Sequence, residues 1–158
     1  MAASNDISSI NFVQNTITAH EDLFNGTPTS DIVSLANADA AVFLITKSAG
    51  GTGTAVVTVE SCDDTTPTTA TAVAFYYQEN TSGNTWGARQ TATSSGFTTT
   101  AGANQQYKMW VHDWGLSGTN KYVRLKATES ANDPVDGAII TMLWGEKYPQ
   151  GTPQAAIT

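Results

Sequence analysis

Apolar and polar residues alternate with a period of two along much of the chain, the spacing of half-buried β-strands. In residues 121–128, Val123, Leu125 and Ala127 fall on one side and Tyr122, Arg124 and Lys126 on the other. Residues 54–60 behave alike, with Ala55, Val57 and Val59 opposite Val56, Thr58 and Glu60. In 106–112, Tyr107, Met109 and Val111 alternate with Lys108, Trp110 and His112. Runs 40–45, 72–77 and 138–144 are apolar enough to predict strands buried on both faces, or nearly so. Weaker strand signals lie at 10–17, 32–35, 88–93 and 97–100. The single helix candidate is 18–25, with Glu21 and Asp22 where a helix start favours acids and Gly26 where it could end.

Turn chemistry separates these runs. Gly50, Gly51 and Gly53 sit in a predicted hairpin loop, where glycine can supply positive φ. Pro67 falls in a longer loop over 63–69, and further turns fall near Gly83, Gly102, Gly118 and Pro134. About nine or ten short strands with turns every 8–12 residues predict an all-β fold, an antiparallel β-sandwich of jelly-roll type. A single domain is expected over residues 10–147. An N-terminal arm, 1–9, and an extended C-terminal tail, 148–158, flank it. Neither has an apolar stripe to bury, and such segments can become ordered against a neighbour.

Composition supports the strand reading and narrows the partners. Threonine is the commonest of the 158 residues; it is β-branched and tolerates solvent-facing strand positions. The formal charge is −7, from 14 acidic and 7 basic residues. The basic residues are scattered, and only Lys121, Arg124 and Lys126 lie close together, so neither nucleic acid nor an anionic membrane is an expected partner. Cys62 is the only cysteine, which excludes an intrachain disulfide. Residues 1–9 have neither a basic start nor an apolar core, so no signal peptide is expected. The glycosylation sequons at Asn25 and Asn80 then read as chance.

Candidate chemistry is sparse, and no catalytic, cofactor-binding or metal residue is predicted. His112 and Asp113 adjoin, but neighbours on a strand point to opposite faces and do not pair naturally. Cys62 with His20 or His112 would make a thiol dyad, yet Asp63 and Asp64 beside Cys62 disfavour the thiolate. The glycines at 50–53 lack the Lys and following helix of a phosphate loop. Asp63, Asp64, Asp133 and Asp136 match no calcium-loop spacing. The tryptophans are better binding elements: Trp86, Trp110, Trp114 and Trp144 either fill a core or stack on sugars and anchor interfaces. Trp110 is the surface candidate, because it shares a face with Lys108 and His112; Trp144, ending an apolar run, is the core candidate. Trp110, His112, Trp114 and Tyr148 are the candidate interface or ligand contacts.

Several segments together carry a resemblance: 49–60 (AGGTGTAVVTVE), 72–77 (AVAFYY), 85–87 (TWG), 96–102 (GFTTTAG), 122–129 (YVRLKATE) and 135–143 (VDGAIITML). They resemble a family of small structural proteins from the head-gene region of tailed bacteriophages, the capsid decoration or cement proteins. The first forty residues carry little of the pattern, and it includes no active-site motif. The resemblance implies a non-enzymatic protein made in the bacterial cytoplasm and bound to the outer surface of a virion capsid. Its partners would be the major capsid protein and further copies of itself, a trimer being favoured over a dimer. The alternative reading is a carbohydrate-binding β-sandwich, displayed on a virion for host attachment.

Overall fold

The computed structural model describes residues 11–14, 22–48, 52–116 and 120–147. Among them, strands follow in the order β1 (Asn11–Gln14), β2 (Val33–Ser34), β3 (Ala38–Lys47), β4 (Thr54–Cys62), β5 (Ala70–Val73) and β6 (Phe75–Asn80). Then come β7 (Gln90–Ala92), β8 (Phe97–Thr98), β9 (Gln106–His112), a 3-10 turn at Asp113–Gly115, β10 (Tyr122–Ala131) and β11 (Gly137–Glu146). One antiparallel sheet runs β1-β11-β3-β9-β6-β7. The other runs β2-β10-β4-β5, with β8 also pairing β4.

Without β6, β7 and β8, the remaining strands taken in chain order run first-eighth-third-sixth in one sheet and second-seventh-fourth-fifth in the other. Two interlocked Greek keys produce this order, and it defines a jelly roll. The three strands set aside are an insertion between the fifth and sixth strands of that plan. The chain is thus an all-β sandwich, as the alternation predicts.

The core lies between the two inner faces. From the six-stranded sheet it takes Ala41, Phe43, Ile45, Tyr107, Met109 and Val111; from the other, Ala55, Val57, Val59, Val123, Leu125 and Ala127. All are buried, and full burial of a Val, Leu, Ile or Phe side chain stabilises a fold by about 1.5–3 kcal/mol. Phe97 closes one flank, its ring stacked on Tyr77 at 4.2 Å. The close approach of Gly96 to β4 makes that flank tight. Its φ is +74°, and a Cβ there would strike the Val57 carbonyl oxygen.

Three expectations need correction. Residues 22–26 of the helix candidate form a turn, and 18–21 lie outside the described residues. Leu23 and Phe24 both enter the core there, and the Leu23 amide donates to the Val135 carbonyl at 2.7 Å. Those long-range contacts outweigh a segment too short to carry the cost of helix nucleation. Residues 72–77 are not one strand. The chain breaks at exposed Ala74, leaving β5 in one sheet and β6 in the other. Run 40–45 is nearly buried on both faces, with no exposed residue, but 138–144 is not. A two-layer antiparallel sandwich covers one face of each sheet, so Ile140 and Trp144 emerge 37% and 51% exposed. The segments 1–9 and 148–158 lie outside the described residues.

A buried lysine ties one end of the sandwich together. Lys47 ends β3 only 3% exposed. Its ammonium donates to the Gly53 carbonyl at 3.1 Å, the Thr100 carbonyl at 2.9 Å and Gln105 Oε1 at 3.2 Å. The Tyr107 hydroxyl donates to the same Gln105 oxygen and accepts from the Thr100 amide, both at 2.9 Å. Burial pushes the Lys47 pKa down and the Tyr107 pKa up.

Candidate binding site on the outer face of the six-stranded sheet

The outward positions of β11, β3, β9 and β6 align in cross-strand rows. One row is Met142, Val42, Trp110 and Tyr76; the next is Ile140, Leu44, Lys108 and Gln78; a third is Trp144, Ala40 and His112. At the usual spacing of strands these four span about 15 Å. Val42, Leu44, Trp110, Met142 and Tyr76 are half-buried. On β11 the usual polarity is inverted: Thr141 is fully buried, while Ile140 and Trp144 face outward.

The face divides into two halves of different chemistry. The half on β11 and β3 is aliphatic around Ile140, Met142, Val42 and Leu44, with Trp144 at one end. The half on β9 and β6 is aromatic. Tyr76 lies 5.8 Å from Trp110 and edge-on to His112 at 6.4 Å. His112 in turn carries Trp114 stacked on it at 5.2 Å, with 14° between the rings. Trp114 sits in the 3-10 turn after β9 and is 74% exposed. A groove of about 160 Å³ runs between Tyr76, Trp110, His112 and Trp114 and is floored by Phe75 and Val111. It is small beside the roughly 300–1,000 Å³ of a site that encloses a drug-sized molecule.

The chain's basic side chains have three different roles. Arg124 and Lys126 pair with Glu60, and Lys121 and Lys147 pair with Asp113. Lys47 is spent on carbonyls inside the fold. Arg89 and Lys108 remain, and both lie over rings of the aromatic half. The Arg89 guanidinium stands 5.0 Å from the Tyr76 centroid; the Lys108 ammonium stands 5.0 Å from Trp86 and 5.6 Å from Trp110. Among the described residues, no carboxylate pairs with either cation. Trp86 reaches this face because its loop folds back, the Gly87 amide donating to the Glu79 carbonyl at 2.8 Å.

The candidate contact residues Trp110, His112 and Trp114 come together here, and Tyr148 lies outside the described residues. Trp144, expected in the core, is on the surface of the same face instead. Alternation places it opposite Leu143, and among the described residues the second sheet covers only the inner side of β11. Tyr76, Arg89 and Ile140 were missed. For Ile140 and Trp144 no local signal was available: polar Thr141 shares the buried side with Ile139 and Leu143, the reverse of what its polarity suggests. Nothing local marks Arg89, whose partner ring comes from another strand.

Among the described residues, the candidate acid-base and thiol groups do not assemble. Asp113 turns away from His112 to accept hydrogen bonds from Lys121 and Lys147. Partial burial works to raise its pKa, but those two ammonium groups hold it below the ordinary value. Cys62 is buried at the end of β4, in the other sheet, and burial raises its thiol pKa; His20 lies outside the described residues. Asp63 accepts from the Thr68 hydroxyl at 2.7 Å and the Thr69 amide at 3.2 Å, and these bonds lower its pKa while organising its own loop. Among the described residues, no group of three His, Cys, Asp or Glu could hold a metal ion. Comparison with protein families, characterised proteins and solved structures finds nothing that matches the chain.

Proposed function

We propose that the chain is a structural virion protein, a decoration or cement protein that binds the outer surface of a bacteriophage capsid and stabilises the major-capsid lattice. The observation that carries this reading is the aliphatic half of the outer face. Ile140 and Trp144 stand exposed beside half-buried Met142, Val42 and Leu44, on rigid strands and not on loops. Such a patch suits a protein partner: apolar and aromatic anchors at the centre, a polar rim around them. The resemblance to phage head proteins, the acidic charge and the jelly roll support the same reading. The fold alone would not, since this architecture serves many functions. In this reading the protein is not an enzyme, its partners are the major capsid protein and further copies of itself, and nucleic acid and membrane are not partners.

The test is reconstitution. Expanded capsids lacking the protein are mixed with purified chain, sedimented and imaged. Saturable binding at a fixed ratio to the major capsid protein, on the outer surface, is the expected result. Ile140→Asp should weaken binding while the chain stays folded. Absence of the protein from virions, or its presence only at the tail tip, would overturn the reading.

A further inference from the structure

We propose that the aromatic half of the outer face is a second binding site, for an acidic saccharide, laid across Trp114, His112, Trp110 and Tyr76. A sugar ring has an apolar C–H face and a rim of oxygens. Its face packs on an exposed aromatic plane, and its rim needs donors beside that plane. Trp114 offers such a plane. It is 74% exposed, and His112 supports it from beneath at 5.2 Å with the rings nearly parallel.

An exposed tryptophan on a mobile side chain would lose much rotamer freedom on binding. One already stacked loses less. The adjoining groove, about 160 Å³, is too small to enclose a compact ligand. That geometry favours a saccharide chain lying along the surface over an engulfed small molecule.

The acid in the ligand follows from charge. Arg89 and Lys108 hold their positions over Tyr76, Trp86 and Trp110. Every other basic side chain of the protein is either ion-paired or bound to carbonyls in the interior. A cation over a ring still presents donors outward, and a guanidinium matches a carboxylate or sulfate with two parallel hydrogen bonds. On a chain of net charge −7, two cations on one aromatic surface that have no acidic partner among the described residues mark the place where an anion is best received. Tyr76, Thr91 and Trp110, which carry further polar groups, also line the groove.

The probes are acidic oligosaccharides (tetragalacturonate, 3′-sialyllactose and a chondroitin sulfate tetrasaccharide) with cellotetraose and lactose as neutral counterparts. Titration calorimetry and tryptophan fluorescence read binding to the full chain. At least one acidic probe should bind more tightly than both neutral sugars. Trp114→Ala, at a surface position, should lower that affinity by about tenfold, and Arg89→Ser should narrow the gap between acidic and neutral probes. Ile140→Asp should leave the saccharide affinity unchanged, and thermal melting should confirm that each variant is folded.

The proposal is overturned if no acidic probe binds at millimolar concentration. Equal affinity for neutral and acidic probes, or binding indifferent to Trp114→Ala, overturns it too. If Trp114→Ala abolishes capsid binding while no sugar binds, the aromatic half belongs to the protein interface instead, and the capsid reading survives alone. If acidic sugars bind but capsids do not, the saccharide site stands and the capsid reading falls.

Discussion

Lys47 is the residue whose burial has the clearest consequence. An ammonium inside a fold is costly unless each proton finds an acceptor, and three acceptors on separate segments converge on this one. Lys47→Met keeps the stem but removes the ammonium donor to the Gly53 and Thr100 carbonyls and one of the two donors to Gln105 Oε1. It should cost about 1–3 kcal/mol in urea unfolding; an unchanged midpoint would contradict the network. The pH dependence has a definite sign. Burial lowers the folded pKa of Lys47, so between that value and the ordinary lysine value of about 10.4 the unfolded state binds more protons. Stability contributed by this group therefore rises with pH through that window, and the rise should vanish in Lys47→Met. Asp113 has the opposite perturbation. Held below its ordinary value by Lys121 and Lys147, it contributes stability above about 3.9 that is lost as the pH falls through its folded pKa. Acid unfolding of Asp113→Asn should lack that component; superimposable curves would refute it.

At the scale of elements, β11 separates the two faces of the sheet most sharply. Ile139 and Ile140 are neighbours of the same type, 4% and 37% exposed. Ile139→Asp puts a carboxylate between the sheets and should unfold the domain or cost several kcal/mol, since a buried unpaired charge is among the most damaging changes. Ile140→Asp should shift stability by only about 0.5 kcal/mol. Thermal melting of the pair decides the matter: similar losses would mean that the outer face is covered in solution, by another copy or by another part of the chain. The break at Ala74 works at the same scale. It sends β6 across to the six-stranded sheet and brings Tyr76 beside Trp110. The aromatic half exists because the run was interrupted.

At the scale of the whole molecule, the jelly roll presents a broad sheet whose outer face is not packed against another sheet among the described residues. Rigid faces suit a lattice partner, because little ordering entropy is lost on docking. A ligand that binds only the assembled shell stabilises it by mass action. In the proposed capsid-binding role, capsids saturated with the protein should therefore withstand heat better than bare ones, with the gain growing with free protein concentration. A melting curve independent of that concentration would contradict the linkage. Four of the basic side chains are paired with carboxylates and Lys47 is buried. No basic stripe remains to follow a phosphate backbone, and DNA binding at physiological salt should be negligible.

Period-two alternation in 54–60, 106–112 and 121–128 was enough to determine three strands and the face each buries, because that spacing leaves one side of a pleated strand to the core. Threonine content and turn residues were equally local signals. Continuous apolar runs were not decidable in the same way. In 138–144 both sides of the strand are apolar, so nothing local says which side the second sheet covers, and Trp144 was expected inside. The break at Ala74 and the turn at Leu23–Phe24 depend on partners far away in sequence. So does the meeting of Arg89 with Tyr76 and of Lys108 with Trp86. A sequence records which side chains can bury or stack; which of them meet is decided by sheet order and packing, whose contacts join residues distant along the chain.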